Sequence, residues 1–222
     1  MFQDIIDIII KNKVGFLKGL SVTFQICLFV WVIGTAIGII IGYFSSKNKV
    51  LTHFIKGISF IISGVPVLVF LFWLHYPAQS FLNISVDPFY TATFMLTILN
   101  IIAVSEIVSN GINNLPNQYL EVAKVCGMNN KDTFIKIQLP LIARHILPSL
   151  LTAQVNILHL SLFASLISVE EIFRVSQRVI SIEYKPVEVY TALGIFFLLV
   201  SLPINGFAIY LKQKFNRRLD ER

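Results

Sequence analysis

The sequence predicts an all-α membrane protein, a polytopic bundle of five transmembrane helices, and three observations carry that prediction. The first is composition: of 222 residues 55% are hydrophobic and 14% charged, with a mean hydropathy of +0.76, far too apolar for a surface wetted by water. The second is the presence of five continuous apolar segments, approximately Ser21–Phe44, Ile55–Leu74, Phe89–Val108, Leu147–Val169 and Val187–Leu211. Each can cross a hydrocarbon core of about 30 Å, which takes about 20 residues. Their continuous apolarity, without short-period alternation, excludes a barrel and leaves the helix as the form that satisfies its own backbone. The third is the placing of charge. One orientation gathers twelve of the eighteen basic residues on one side: Lys47, Lys49 and Lys56, then Lys124, Lys131, Lys136 and Arg144, then Lys212, Lys214, Arg217, Arg218 and Arg222. By the positive-inside bias that side is cytoplasmic, so the N-terminus is outside and the C-terminus inside. The same clustering accounts for the net charge of +6 without nucleic acid.

The elements follow in order. Residues 1–13 lack the basic start and cleavage site of a signal peptide and are expected to persist. Asp4, Asp7 and Lys11 recur at helical spacing among Ile residues, which suits either a short amphipathic helix at the outer interface or a frayed terminus. Gly34, Gly38 and Gly42 form a small-residue stripe on the first span, an approach face for a helix of the same subunit or of a dimer partner. Ser63-Gly64-Val65-Pro66 interrupts the second span, and Pro66 is a candidate for a pathway wall, since such breaks occur where they are buried in protein or line a cavity. Pro203 in the fifth span reads as a packing kink. Cys27 and Cys126 fall on different sides and cannot pair within one subunit.

Between the third and fourth spans lies a charged loop, about 110–145. Pro116 suits the start of a helix over Asn117–Cys126, and Gly127 ends it in the left-handed conformation. Asn129 or Asn130 caps the next helix, Asp132 suits its first turn, Phe134, Ile135 and Ile137 give it an apolar face, and Pro140 follows its end. The result is a helical elbow exposed to the cytoplasm.

Ionisable groups inside spans are costly, about 2.5–3.5 kcal/mol each on insertion scales, and so face a partner or a cavity. Glu106 lies toward the inner end of the third span, where capping, pairing with a nearby Lys or Arg, or gating would each use it. Asn156, His159 and Ser161 sit within two turns of the fourth span, and the first two share a face at i, i+3. No second His or Cys stands at metal-ligand spacing. No G-x-x-x-x-G-K-[ST] loop or nucleophile constellation is present, so the chain reads as neither an ATPase nor any other enzyme. On the residues alone, three readings stay open: a subunit driven through its elbow by a separate ATPase, an ion-coupled carrier or channel using Glu106 and His159 as proton sites, or a membrane scaffold.

The loop spacing, Glu121-x-Ala123-x-x-x-Gly127, then nine residues, then Ile137-x-Leu139-Pro140, resembles the EAA loop of binding-protein-dependent ABC importers. Further matches resemble the polar amino-acid permeases of that class. They are Gly19 and Thr23 before the first span, Ser63-Gly64-Val65-Pro66, Glu106, Gly111-Ile112, Leu115-Pro116, Leu147-Pro148, Ala164-Ser165 and Glu171. The resemblance implies a type I ABC importer fold and an inner-membrane permease subunit that moves a small polar solute, an amino acid or a derivative. It implies as partners two copies of an ABC ATPase, a second permease subunit in a homo- or heterodimer, an extracytoplasmic solute-binding protein and membrane lipid. ATP and magnesium would sit on the partner ATPase, with no cofactor on this chain. It assigns ATPase coupling to Glu121, Ala123, Gly127, Ile137, Leu139 and Pro140. For the substrate pathway the expected residues are Pro66, Glu106, Asn156, His159, Ser161 and Ser165. Ser63 and Ser109 stand where such permeases usually have Arg, and His159-Leu160-Ser161 replaces Lys-Asp-Thr, so the coupling residues match more fully than those expected to meet an amino acid.

Overall fold

How closely the first and third spans approach is set by three glycines. A Cβ at Gly34 would stand 2.7 Å from Asn100 Nδ2, at Gly38 2.7 Å from Val104 Cβ, and at Gly42 2.7 Å from the Ser105 carbonyl. No side chain fits at those distances. The stripe is therefore spent inside the subunit, against the third span, as small residues permit in a membrane where apolar contact alone supplies little association energy.

The structure, a computed structural model, describes residues 2–116 and 118–220; Asn117 and Arg222, expected as a helix start and part of the basic tail, lie outside them. Among the described residues all regular structure is helical. The helices are α1 (Phe2–Lys11), α2 (Lys13–Lys47), α3 (Lys49–Ser63), α4 (Val67–His75), α5 (Pro77–Leu82), α6 (Pro88–Asn113), α7 (Gln118–Val125), α8 (Asn130–Ile167), α9 (Ile172–Glu183) and α10 (Pro186–Asp220). Four of them, α2, α6, α8 and α10, are long and apolar enough to cross a membrane. The fifth expected span is broken, for α3 meets the α4–α5 segment at 92° across Ser63–Pro66. The elbow helix was expected to end before Pro140. Instead it runs on as α8, because a π turn over Phe134–Gln138 precedes the proline. The wider turn sends the Leu139 N–H back to the Phe134 carbonyl and relieves the clash between the proline ring and the preceding turn.

A second π turn, Val30–Gly34, interrupts α2. It frees the Val30 carbonyl, which accepts from Asn100 Nδ2 at 2.9 Å. Asn100, fully buried, also exchanges hydrogen bonds with the Gln154 amide at 3.3 Å, and the Trp31 indole donates to the Gln154 carbonyl at 3.1 Å. Three spans are thus joined through one polar knot beside an apolar core that includes Ile26, Val30, Leu71, Met95 and Ile157.

The end of the bundle that carries α1 is closed by a second clasp. Gly19 lets α9 approach until Ile172 Cα would be 3.0 Å from a Cβ placed there. Thr23 Oγ1 donates to the Gly19 carbonyl and accepts from the Ile172 N–H at 3.1 Å. Glu171 caps α9 by accepting from the Arg174 N–H at 2.9 Å, while its Oε2 is buried without a hydrogen-bond partner. Gly19, Thr23 and Glu171, which matched family positions separately, share this one joint. α1 packs beside it: Ile5 and Ile8 are buried, Ile8 against Val175, Val179 and Val189, and Lys11–Glu183 and Asp4–Lys185 ion pairs hold its flank. The first residues thus form a docked amphipathic helix. Its exposed ion pairs contribute little beside the buried isoleucines.

Two tests follow from these joints. Gly38→Leu must separate α2 from α6 and should destabilise the protein by about 1–3 kcal/mol, as overpacking does. Gly206→Leu, with open space at its Cα, should leave the melting temperature of the detergent-solubilised protein within error of wild type. At the Gly19–Glu171 clasp, burial pushes the Glu171 carboxyl up to about 7 from its ordinary 4.5. The closed clasp therefore binds this proton more tightly than the opened one. Its stability is greatest in acid and falls as pH rises from about 4.5 through about 7, the sign linkage requires when the closed state holds more protons. Glu171→Gln, which keeps the cap, should flatten the fall in melting temperature over that interval; an unchanged slope would exclude Glu171 as its source.

Candidate coupling elbow and translocation cleft

The elbow is built by local rules. α7 follows Pro116 and carries Glu121, exposed, in its first turn, with Ala123 buried on its inner side. It ends in a Schellman motif: Gly127 N–H donates to the Lys124 carbonyl and Met128 N–H to the Ala123 carbonyl, both at 3.0 Å. Gly127 takes φ +72°, where a Cβ is strained. Asn129 then caps α8, accepting from the Asp132 N–H at 2.7 Å and donating from Nδ2 to Asp132 Oδ2 at 2.9 Å. Lys136 pairs with Asp132 at 3.0 Å. Phe134 meets the ring of Tyr43 edge-on with centroids 6.0 Å apart, and Lys47 lies over the same Tyr43 ring. The elbow is thereby seated against the C-terminal end of α2.

What it shows to solvent is unusual for a loop. Val122, Val125, Ile135 and Leu139 are exposed, Val125 to 88%, among Glu121 and Lys124. Ile137 and Pro140 are half-buried at the foot of α8. A charged rim around exposed apolar side chains is the composition of a protein-docking face.

The second feature is a cleft of about 420 Å³ between α8 and α10. Ser149, Thr152, Asn156 and His159 face it from one side of α8, and Asn205 from α10. Spacings of three and four residues put that series on a single helical face. His159 Nε2 shares a 2.8 Å hydrogen bond with Ser201 Oγ, and the ring packs edge-on against Phe197. Asn205 Oδ1 is buried with no hydrogen-bond partner. The walls offer hydroxyl, carboxamide and imidazole groups and no fixed charge, a lining that can hydrogen-bond a polar solute.

Asn156 and His159 are together, as their spacing implied. Ser161 and Ser165 are not with them: both are fully buried in the 3-10 end of α8, with hydroxyls bonded back to the Leu158 and Leu162 carbonyls. Ser161 lies two residues past His159, about 200° round a helix of 3.6 residues per turn, and so on the opposite face. Pro66 caps α4 in the exposed break and does not line the cleft. Glu106 is half-buried on α6 and has no ion-pair or hydrogen-bond partner among the described residues, so of the roles left open for it neither capping nor pairing with a nearby Lys or Arg is made there. Sequence reasoning missed Ser149, Thr152 and Asn205; their only signal was a polar residue in an apolar span, at helical spacing from Asn156 in the first two cases.

Comparison with known proteins agrees with this architecture. Residues 34–219 match the family described as binding-protein-dependent transport system inner membrane component. Among curated relatives, the chain is similar to the nopaline transport system permease protein NocM of Agrobacterium fabrum, with 24% identity covering 90% of this chain and 87% of the relative. It is likewise similar to the histidine/lysine/arginine/ornithine transport system permease protein HisQ of Salmonella typhimurium, with 24% identity over 90% and 92% of the two chains. The glutamine transport system permease protein GlnP of Escherichia coli matches at 24% over 88% and 90%. Among solved structures, a chain of an amino acid ABC transporter crystallised with histidines superposes with a TM-score of 0.79 at 21% identity, covering 93% of this chain and 96% of that one. The inward-facing MetNI methionine ABC transporter gives 0.73 at 14% identity over 92% and 98%. With its family match running from the glycine stripe of α2 to the end of α10, the chain belongs to the binding-protein-dependent transport system inner membrane components and is a membrane permease component of an ABC importer.

Proposed function

We propose that this chain is the non-catalytic permease of its importer, a single transmembrane domain over 1–222 whose elbow, at about 110–145, is the seat of a partner ATPase. The observation that carries this reading is the elbow itself, a Schellman-terminated helix presenting Val122 and Val125 beside Glu121, clamped to α2 through Tyr43 and Phe134. ATP and magnesium belong to the ATPase, two copies of which act on two permease subunits, and a solute-binding protein delivers substrate from outside. The basic residues flanking the spans support an external N-terminus and a cytoplasmic C-terminus. Nucleotide-driven closure of the ATPases moves the elbow, and α8 carries that movement to the cleft.

The solute is small and polar, of the amino-acid class that the names of the relatives share. Within the cleft, His159 and Asn156 act as hydrogen-bonding groups, where similar permeases carry a Lys-Asp pair beginning at position 159. A lining without fixed charge discriminates weakly among zwitterions, so the binding protein makes the selection and the cleft passes what it is given.

Orientation is tested by labelling intact cells with an impermeant maleimide. A Cys at Ser80, exposed in α5, should react, and Cys126, also exposed, should be spared until the membrane is opened; the reverse pattern would invert the topology and remove the elbow from the ATPase. Coupling is tested by Gly127→Val. A β-branched residue at φ +72° costs about 1–2 kcal/mol in the left-handed region and re-aims the elbow. With insertion unchanged, substrate-stimulated ATPase activity and uptake should both fall, as they should for Glu121→Lys. Wild-type uptake by both variants would show that the elbow is not the coupling element.

A further inference from the structure

The surface of α1 divides into three sectors. At about 100° per residue, Ile5 and Ile8 fall on the side packed toward α9 and α10, where Ile8 meets Val175, Val179 and Val189. Asp4, Asp7 and Lys11 share a second side, with Asp4 paired to Lys185 and Lys11 to Glu183. Ile6, Ile9 and Ile10 fall on a third, beside the packed one, and all three are exposed. A helix docked on protein and facing water has use for the first two sectors only. The third is apolar surface that the described residues leave open.

What covers it follows from where it leads. Helical bonding carries on across the bend at Asn12, whose N–H donates to the Ile8 carbonyl at 3.0 Å while its carbonyl accepts from the Phe16 N–H at 3.1 Å. From Ile10 the exposed apolar row continues at helical spacing through Val14, Leu17, Phe24 and Leu28, and so along one face of α2. α2 is long and apolar enough to cross the membrane, and no charge interrupts the row between α1 and its span. Lys13 and Lys18, both exposed, stand at its two edges, where their stems lie along apolar surface and their ammonium groups reach toward headgroups.

The neighbours of α1 mark the same depth independently. Tyr184, 85% exposed, turns the chain from α9 toward α10 directly before Lys185, the partner of Asp4. Ile182, Val187 and Tyr190 are exposed around it. A tyrosine, with an apolar ring and a polar hydroxyl, is favoured where hydrocarbon meets headgroups.

We propose that α1 is an interfacial helix whose partner is the lipid surface, lying at the boundary between headgroups and acyl chains of one leaflet. Ile6, Ile9 and Ile10 enter the acyl region, Asp7 and Lys11 face water, and the Ile5–Ile8 side grips α9 and α10. This placement holds for either orientation of the chain and does not depend on coupling through the elbow. It gives the Gly19–Glu171 clasp a second support, because α9, which Glu171 caps, is tied through Ile8 and Lys11 to a helix held by lipid.

The test uses the full-length chain assembled with its partner subunits in liposomes, with Cys27→Ala and Cys126→Ser as background. A nitroxide is attached in turn at Ile6→Cys, Ile10→Cys, Asp7→Cys and, on the span, Phe24→Cys. Its collisions with oxygen and with a water-soluble nickel chelate present on both faces are compared with those of lipid-borne nitroxides of known depth. At positions 6 and 10 the ratio of the two should match a nitroxide just below the headgroups, with nickel collisions several-fold rarer than at position 7. At position 24 it should match a deeper one. Frequent nickel collisions at positions 6, 7 and 10 alike would overturn the proposal by placing α1 in water. Exclusion of both reagents at 6 and 10 would overturn it in favour of a protein cover, and repeating the measurement without the solute-binding protein would tell that protein from a membrane subunit. Exclusion of both reagents at 24 would also sink it, since the row would then lead to protein and not to lipid.

Discussion

The carboxamide of Asn100 is the joint on which the bundle depends. An amide in hydrocarbon must find partners within protein, and this one is met by the Val30 carbonyl on one side and the Gln154 amide on the other. Its position dictates much of what surrounds it. The Val30 carbonyl is available because α2 takes a π turn there, and Gly34 is a glycine because the Asn100 side chain occupies the space its Cβ would need. Gly38 and Gly42 continue the close approach toward the C-terminal end of α2, and Gln154 brings in α8. Packing and polar bonding thus specify the same register, so a slip of either helix would lose both at once.

Much of this architecture was legible in the sequence, and the legible parts share a cause. Span positions follow from the thickness of hydrocarbon, and the elbow follows from chemistry local to a few residues: Gly127 at positive φ, Asn129 as cap, Asp132 in the first turn. Such rules need no knowledge of what lies across the bundle. The glycine stripe could be seen as an approach face, but choosing the same subunit over a partner required knowing that Asn100 and Val104 stand opposite. The end of the elbow helix was misjudged because Pro140 is a helix breaker only when the preceding turn is α-helical, and a π turn has no marker in residue type. Ser161 was grouped with His159 by proximity along the chain, although two residues carry it to the opposite face.

The matches of Gly19, Thr23 and Glu171 were visible one by one, and their meaning was not. Gly19 and Thr23 lie about 150 residues from Glu171 along the sequence, and only the fold brings them to one corner. There the glycine admits the α9 backbone, the threonine accepts its first buried N–H, and the glutamate caps it while keeping one oxygen unpaired. A buried carboxyl with an unsatisfied oxygen is a weak point, and on the proposed orientation it falls at the end from which a delivered solute would enter.

α8 links these parts mechanically. It starts at the elbow with Asn129 and Asp132, passes Pro140 without a break, presents Gln154 to the central knot, and turns Asn156 and His159 to the cleft. From Asn130 to His159 a continuous helix spans roughly 40 Å at 1.5 Å per residue. Had Pro140 ended the helix, a push on the elbow would have been absorbed at a flexible corner. Because the π turn lets the helix continue, the proposed push on the elbow would pass along one rod, held at the Asn100–Gln154 bond, to the cleft residues on either side of that bond. On the proposed coupling, this arrangement would let the permease turn chemistry performed on another subunit into a change in the shape of its polar cleft.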